Sequence, residues 1–329
     1  MEFVDIVFNI LTMGLPCCLL ALGIFLTYRL LDFADLTAEG SFMLGAAICG
    51  VMIYNGINPW LATSAGILIG FVCGIITGCL NRILKVPKLL SGIITMTATT
   101  AIAYIIFGMQ NGYPKEFGQS VDFGVTYGGS QQTIFYLLYP LKFSTDLNMY
   151  VIPGIWCDVI KITVMLGVVA IVMIGIYFFF GTQYGMAIRA TGMNESMARA
   201  QGINTDVSSI ICVGVANALI GLAGALFVQS MNNASVTSAQ GYLVVGLASI
   251  IIGETIFGKR SFKNWIISVA LGAIMYYIII NVAIRLGLPG ELMSLLYASL
   301  IVVALCLPLI KGFIKRKIKE RKNRLEEEN

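Results

Sequence analysis

Residues 189–206 read RATGMNESMARAQGINTD. Two arginines, a glutamate and an aspartate crowd into this stretch, between apolar runs at 160–180 and 207–229. The solvent of those flanking runs decides the fold. The island has the marks of a short helix in water. Asn194 suits an N-cap, Glu195 and Arg199 sit four apart on one face, and Gly202 is placed to end the helix. Asn204, Thr205 or Asp206 can then cap the next run. Such a helix is about 10 Å long and marginal on its own. Met193, Met197, Ala198 and Ala200 give it small, flexible apolar surface, which suits a groove on a partner.

Working outward, the chain has 329 residues, 58% hydrophobic and 12% charged, where a soluble domain is about 25% charged. A bilayer crossing takes roughly 20 apolar residues as helix, and the sequence holds several such runs. The expected fold is therefore an all-α polytopic membrane protein, with spans near 6–27, 36–54, 59–80, 89–108, 160–180, 207–229, 241–257, 264–284 and 291–310. That is about nine crossings, in a range of 8–10. The alternation of a β-barrel is absent. Residues 6–26 are too long for the apolar part of a signal peptide and lack its flanks, so they read as a retained span. One membrane domain is expected over 1–310, followed by a basic tail over 311–329.

The tail carries eight Lys/Arg and four Glu, equal to the net charge of +4 of the whole chain. Such tails mark the cytoplasmic side and contact anionic lipid rather than nucleic acid. Counting back from it puts Arg29, Arg82, Lys85, Lys88, Arg189, Arg199, Lys259, Arg260 and Lys263 inside. The outside loops at 55–58, 230–240 and 285–290 carry only Arg285. Trp60, Trp156, Trp265, Tyr54 and Tyr184 fall near span ends, as interfacial aromatics do. Residues 109–159 form a long outside segment, in which TIFYLLYPL (133–141) reads as a short interfacial or re-entrant helix.

The chain has eight cysteines and no histidine. Seven cysteines lie in apolar runs as small packing residues, and no pattern suggests a disulfide framework or a metal. GETIFGKRS (253–261) resembles a phosphate loop, but Arg260 displaces the required Ser/Thr and an apolar helix precedes it. Gly258 reads instead as a helix stop, and Glu254 as a carboxylate reaching Lys259 or Arg260. No catalytic residue is expected.

LLDFADLTAEGSFMLGAA (30–47) begins a span with Asp35 as cap and Glu39 one turn on. Gly40, Ser41, Gly45, Ala46 and Ala47 then permit close helix packing. Two readings stand side by side. One is capping and packing. The other is a late-starting helix whose Asp35, Thr37, Glu39 and Ser41 line a solute path, where polar groups are tolerated.

GMNESMARAQGI (192–203) resembles the cytoplasmic coupling loop of ATP-binding-cassette (ABC) importer permeases, in the ribose and branched-chain amino-acid group. FADLTAEGSFMLGA (33–46) and GLASIIIGETIFGKRSF (246–262) resemble two further segments of that group, in the same order. The resemblance covers roughly residues 10–310 and leans to a bacterial subgroup, some of whose members are linked to tryptophan-like substrates. It implies a bacterial plasma-membrane permease paired with a second copy or a homologue. The partners implied are two cytosolic ATPase subunits that bind the ATP and an extracytoplasmic solute-binding protein. No cofactor is implied in this chain. By position, Gly192, Asn194, Glu195, Ala198, Arg199 and Gly202 would form the ATPase contact. The group is expected to have about ten spans, and a glycine of its second segment is replaced near Glu39-Gly40. The alternative is an ion-coupled secondary transporter of a small neutral or zwitterionic solute. It would want ionisable groups at mid-span, and here Glu39 and Glu254 both fall near span ends.

Overall fold

In lipid the backbone has no hydrogen-bond partner but itself, so each long apolar run closes into helix. The computed structural model describes residues 2–110, 120–122, 133–137, 142–144, 149–151, 154–235 and 240–286, with isolated positions 299, 302 and 306. Helix α1 (Glu2–Phe25) continues through a π-helical turn (Leu26–Leu30), followed by α2 (Thr37–Tyr54), α3 (Pro59–Arg82) and α4 (Lys88–Gln110). Then come β1 (Ser120–Asp122), α5 (Ile134–Leu137), β2 (Lys142–Ser144), β3 (Met149–Val151) and α6 (Gly154–Phe179). The chain goes on with α7 (Gln183–Met193), α8 (Glu195–Ala200), α9 (Thr205–Met231), β4 (Asn233–Ser235), α10 (Tyr242–Phe257) and α11 (Phe262–Arg285).

Among the described residues, seven helices are long and apolar enough to cross a membrane, within α1 with its π turn, α2, α3, α4, α6, α9 and α11. Helix α10 is apolar but has only 16 residues, about 24 Å at 1.5 Å per residue, short of a hydrocarbon core of about 30 Å. The protein is a polytopic helical membrane protein. The ninth expected span, 291–310, and the tail, 311–329, lie outside the described residues. The described residues are nearly all helical, as expected, with two small antiparallel ribbons besides. In one, Ser120 pairs with Ser235 and Asp122 with Asn233, while β2 and β3 form the other. Helix α7 is also new. Its residues are of mixed polarity, and the turn that starts it is set by Thr182, whose Oγ1 accepts from the Gly185 N–H at 3.3 Å.

The core is built around α9, which packs on α1, α2 and α3. Close approach there depends on a glycine every fourth residue of α3. A Cβ on Gly70 or Gly74 would strike the carbonyl oxygen of Asn217 or Val213. A Cβ on Gly78 would lie 2.9 Å from the Ile210 Cα, and one on Gly45 of α2 would lie 2.7 Å from the Gly221 oxygen. Without water to expel, spans associate through such contacts and through interhelical hydrogen bonds. Helices α10 and α11 meet in the same manner, Gly253 against Ser268 and Gly272 against Ser249.

The cations assigned to one side of the membrane gather at one end of this bundle. Arg29 donates to the Glu254 carboxylate at 2.6 Å, Arg82 to Glu195 at 2.6 Å, and Lys88 to the Asp32 carbonyl at 2.9 Å. Glu254 thus pairs with Arg29 of the π turn, not with Lys259 or Arg260. Its second oxygen accepts from the Trp265 indole at 2.8 Å. Lys259 instead lies 5.9 Å from the centre of the Trp265 ring. Sequence proximity favoured the wrong pair because Glu254 faces α1 and α11 across the bundle.

At the opposite end, Gln229 is fully buried. It donates to Thr63 at 2.8 Å and accepts from the Ile134 N–H at 3.0 Å. The described part of the 133–141 stretch therefore tucks in against α9, with Thr133, Ile134 and Phe135 all buried.

Candidate functional site

Helix α8 protrudes at the basic end. Asn194 has an extended backbone, and its Oδ1 accepts from the Met197 N–H at 3.1 Å. Its C-terminus closes on Gly202, held at φ +81°. There the Ile203 N–H returns to the Ala198 carbonyl at 3.1 Å, the six-to-one bond of a left-handed helix stop. Asn204 then caps α9, accepting from the Val207 N–H at 3.2 Å. All three local expectations correspond to structure.

The charged side chains turn toward the bundle. Arg199 bonds Glu195 at 3.1 Å, Asp206 at 3.0 Å and the Thr205 hydroxyl at 2.7 Å. Arg82, from the end of α3, reaches Glu195 and lies 3.7 Å from Asp206. Two cations and two carboxylates thus interlock α3, α8 and α9. Partial desolvation pushes the Glu195 carboxyl up. The hydrogen bond and charge of Arg82, the charge of Arg199 and the Thr205 hydroxyl outweigh it, so the group lies below the usual carboxylate range.

Two further positions of the island are used in packing. Ala198 is buried. A Cβ on Gly192 would collide with the Leu30 carbonyl, so this glycine seats α7 on the π turn. Met193 and Met197 are 89% and 60% exposed and form the free surface. A cleft of about 320 Å³ runs between α7 and α9, lined by Tyr184, Ile203, Val207 and Ile211. Arg82 is the residue that sequence reasoning missed. It counted only as a loop charge, and its partner is 113 positions away.

The four path candidates separate into two groups. Asp35, Thr37 and Ser41 are buried in a polar network across four helices. Asp35 accepts from the Thr37 N–H at 2.9 Å and from the Asn217 amide at 2.7 Å. Ser41 donates to Asn217 at 2.7 Å, Thr37 bonds Thr77 at 2.7 Å, and Thr77 donates to Thr95 at 2.9 Å. Asn217 lies twelve residues into α9, about 18 Å of helix, so α2 starts well below the basic surface. A lone asparagine inside an apolar run was the available signal for it.

Glu39 stands apart from this network. It is half-buried and accepts from the Gly241 N–H at 2.7 Å, at the very start of α10. Tyr242 next to it stacks on Phe42, ring centres 4.5 Å apart, with Phe227 edge-on at 5.4 Å. The first turns of α2 and α10 therefore meet at Glu39, inside the bundle.

A family model described as branched-chain amino acid transport system / permease component matches residues 6–305. The chain is 31% identical over 300 residues to a tyrosine transport system permease protein of Clostridioides difficile, covering 91% of this chain and 90% of that one. It is 27% identical to a probable branched-chain amino acid transport permease of Methanocaldococcus jannaschii, over 79% and 77% of the two chains. With the ribose import permease of Escherichia coli the identity is 24%, over 90% and 83%.

Proposed function

The chain belongs to the branched-chain amino acid transport system / permease component family, made up of membrane permeases rather than enzymes, and on that premise we propose that it is the membrane-spanning subunit of an ATP-driven importer in a bacterial plasma membrane. Its basic end faces the cytoplasm. Two copies, or this chain and a homologue, work with two ATPase subunits that bind ATP and with an extracytoplasmic solute-binding protein. The cargo is an amino acid, an aromatic one in keeping with the tyrosine permease relative.

The observation that carries this reading is α8. A short helix that exposes Met197, next to the exposed Met193 at the end of α7, while four charges clamp its base to α3 and α9 is built to take a push and pass it on. Gly192, Asn194, Glu195, Ala198, Arg199 and Gly202 hold the unit in shape. Met193, Met197 and the Tyr184 cleft give it the apolar face that an ATPase groove would take. The solute path runs by Glu39, where α2 and α10 start, because a half-buried carboxyl group between two helix starts can face an amino acid's ammonium group.

The test is co-purification with the ABC ATPase subunits encoded in the same genome. The native pair is expected to elute together, and Met193→Glu with Met197→Glu is expected to lose the ATPase while remaining monodisperse. A native chain that purifies alone, with uptake that ignores ATP, would hand the assignment to the ion-coupled alternative. Radiolabelled tyrosine, tryptophan and leucine in ATP-loaded vesicles then identify the cargo.

A further inference from the structure

A second cleft lies away from α8, on the α6–α11 face. Its upper part, about 530 Å³, opens at the basic end between the α6–α7 turn and the start of α11. It is lined by Arg189, Lys263, Ser261 and Thr182. It continues into an apolar groove of about 260 Å³ along α6 and α11, walled by Met173, Ile174, Ile266 and Ile267. Tyr177, Phe178 and Lys263 line both parts.

The two cations differ from the three clamped arginines at this end. Arg29, Arg82 and Arg199 are bound to carboxylates. Arg189 and Lys263 form no ion pair among the described residues. Each is propped on an aromatic face, Arg189 over Phe262 at 4.7 Å and Lys263 over Tyr177 at 4.7 Å. The rings hold both charges at the cleft and leave their N–H groups free for an anion. A cationic, hydroxyl-bearing mouth over an apolar slot between two spans matches one chemistry, a phosphodiester head carrying acyl chains.

We propose that this cleft is a binding site for an anionic phospholipid of the leaflet at the basic end, its phosphate at Arg189, Lys263 and Ser261 and one acyl chain along Ile174 and Ile267. Phosphatidylglycerol is the suitable probe. A zwitterionic lipid carries its own cation and gains little from two more.

The test is lipid retention by the full-length protein in detergent, read by native mass spectrometry after adding equimolar phosphatidylglycerol and phosphatidylcholine with identical chains. The native protein is expected to keep one phosphatidylglycerol per chain. Each basic group at a membrane surface changes anionic-lipid affinity about fivefold, so R189Q/K263Q should lower the preference by about thirtyfold. Both side chains are exposed, and the variant should remain monodisperse. K259Q/R260Q removes equal charge from the same end outside the cleft and should leave the preference within about twofold. A native protein without preference overturns the proposal. An R189Q/K263Q variant that keeps its lipid overturns it too. An equal loss in K259Q/R260Q overturns it in favour of diffuse surface charge. Retention is read without uptake or ATP, so its failure leaves the permease assignment standing, and the reverse.

Discussion

Asn217 is fully buried in α9 and serves three groups at once. Its amide donates to Asp35 and to the Val213 carbonyl, and its oxygen accepts from Ser41. Asn217→Leu keeps the volume but strips Asp35 of its interhelical donor. Unpairing a buried carboxylate from a hydrogen-bond donor costs about 2–4 kcal/mol. The thermal midpoint in detergent should fall accordingly, and Asp35→Asn combined with Asn217→Leu should recover part of the loss. A double variant as unstable as Asn217→Leu alone would show that the charge on Asp35 is not the source. Glu195 gives a pH dependence. Its folded carboxyl lies below the usual carboxylate range, so the clamp on α8 is fully present above that range and loosens as pH falls through the lower folded value. The pair is partly exposed, so the contribution is about 0.5 kcal/mol. Hydrogen-exchange protection over 195–203, corrected for the intrinsic exchange rate at each pH, should fall as pH drops through the folded value, and Glu195→Gln should abolish that step. The caps at Asn194, Gly202 and Asn204 were legible in the sequence because a cap lies within a few residues of what it satisfies. Arg82 and Asn217 were not, because their partners come from other spans.

At the scale of elements, hydropathy was enough to place α1 through α4, α6, α9 and α11 within a few residues, since lipid leaves a long apolar run no alternative to helix. It could not separate α7 from the linker, or pair β1 with β4 across more than a hundred residues. The glycine register of α3 was in plain view at 66, 70, 74 and 78, although only the structure shows that it faces α9. That register makes a graded prediction. Gly74→Ala places a methyl against the Val213 carbonyl, within 3 Å of both the Gly214 Cα and the Asn217 Cβ, so the helices must part. Its cost should be about 2–3 kcal/mol, in the range of overpacked cores. Gly167 of α6 has nothing within 4 Å of the corresponding position, so Gly167→Ala should be neutral or gain up to about 1 kcal/mol from helix propensity. Thermal unfolding of the two variants in the same detergent decides it. Equal effects would mean that α3 and α9 are not in this contact.

For the whole molecule, α10 is the element with the most leverage, because it is short and is held at both ends by partners far away in sequence. At its start Gly241 is bound by Glu39 of α2, and at its end Glu254 is held by Arg29 of the π turn and by Trp265 of α11. The α3–α9 seam shares none of these bonds. Helix α10 is thus tied at both ends outside the glycine-packed α3–α9 seam, as an element that shifts along the proposed path past Glu39 would be. Glu254 has a side chain only 10% exposed, against 32% for Arg29. Arg29→Met leaves the more buried charge alone and should cost about 2 kcal/mol, reduced from the fully buried case by the exposure of Arg29. Arg29→Met with Glu254→Met removes both charges and should cost less than Arg29→Met alone, a positive coupling in a double-mutant cycle. Hydrogen exchange locates the effect. In Arg29→Met, protection should drop over 250–257 and 26–30 while 66–78 and 210–225 remain as in the native protein. Loss of protection throughout would mean that the ion pair holds the whole bundle. Loss confined to α10 would establish it as the part that moves against a rigid centre.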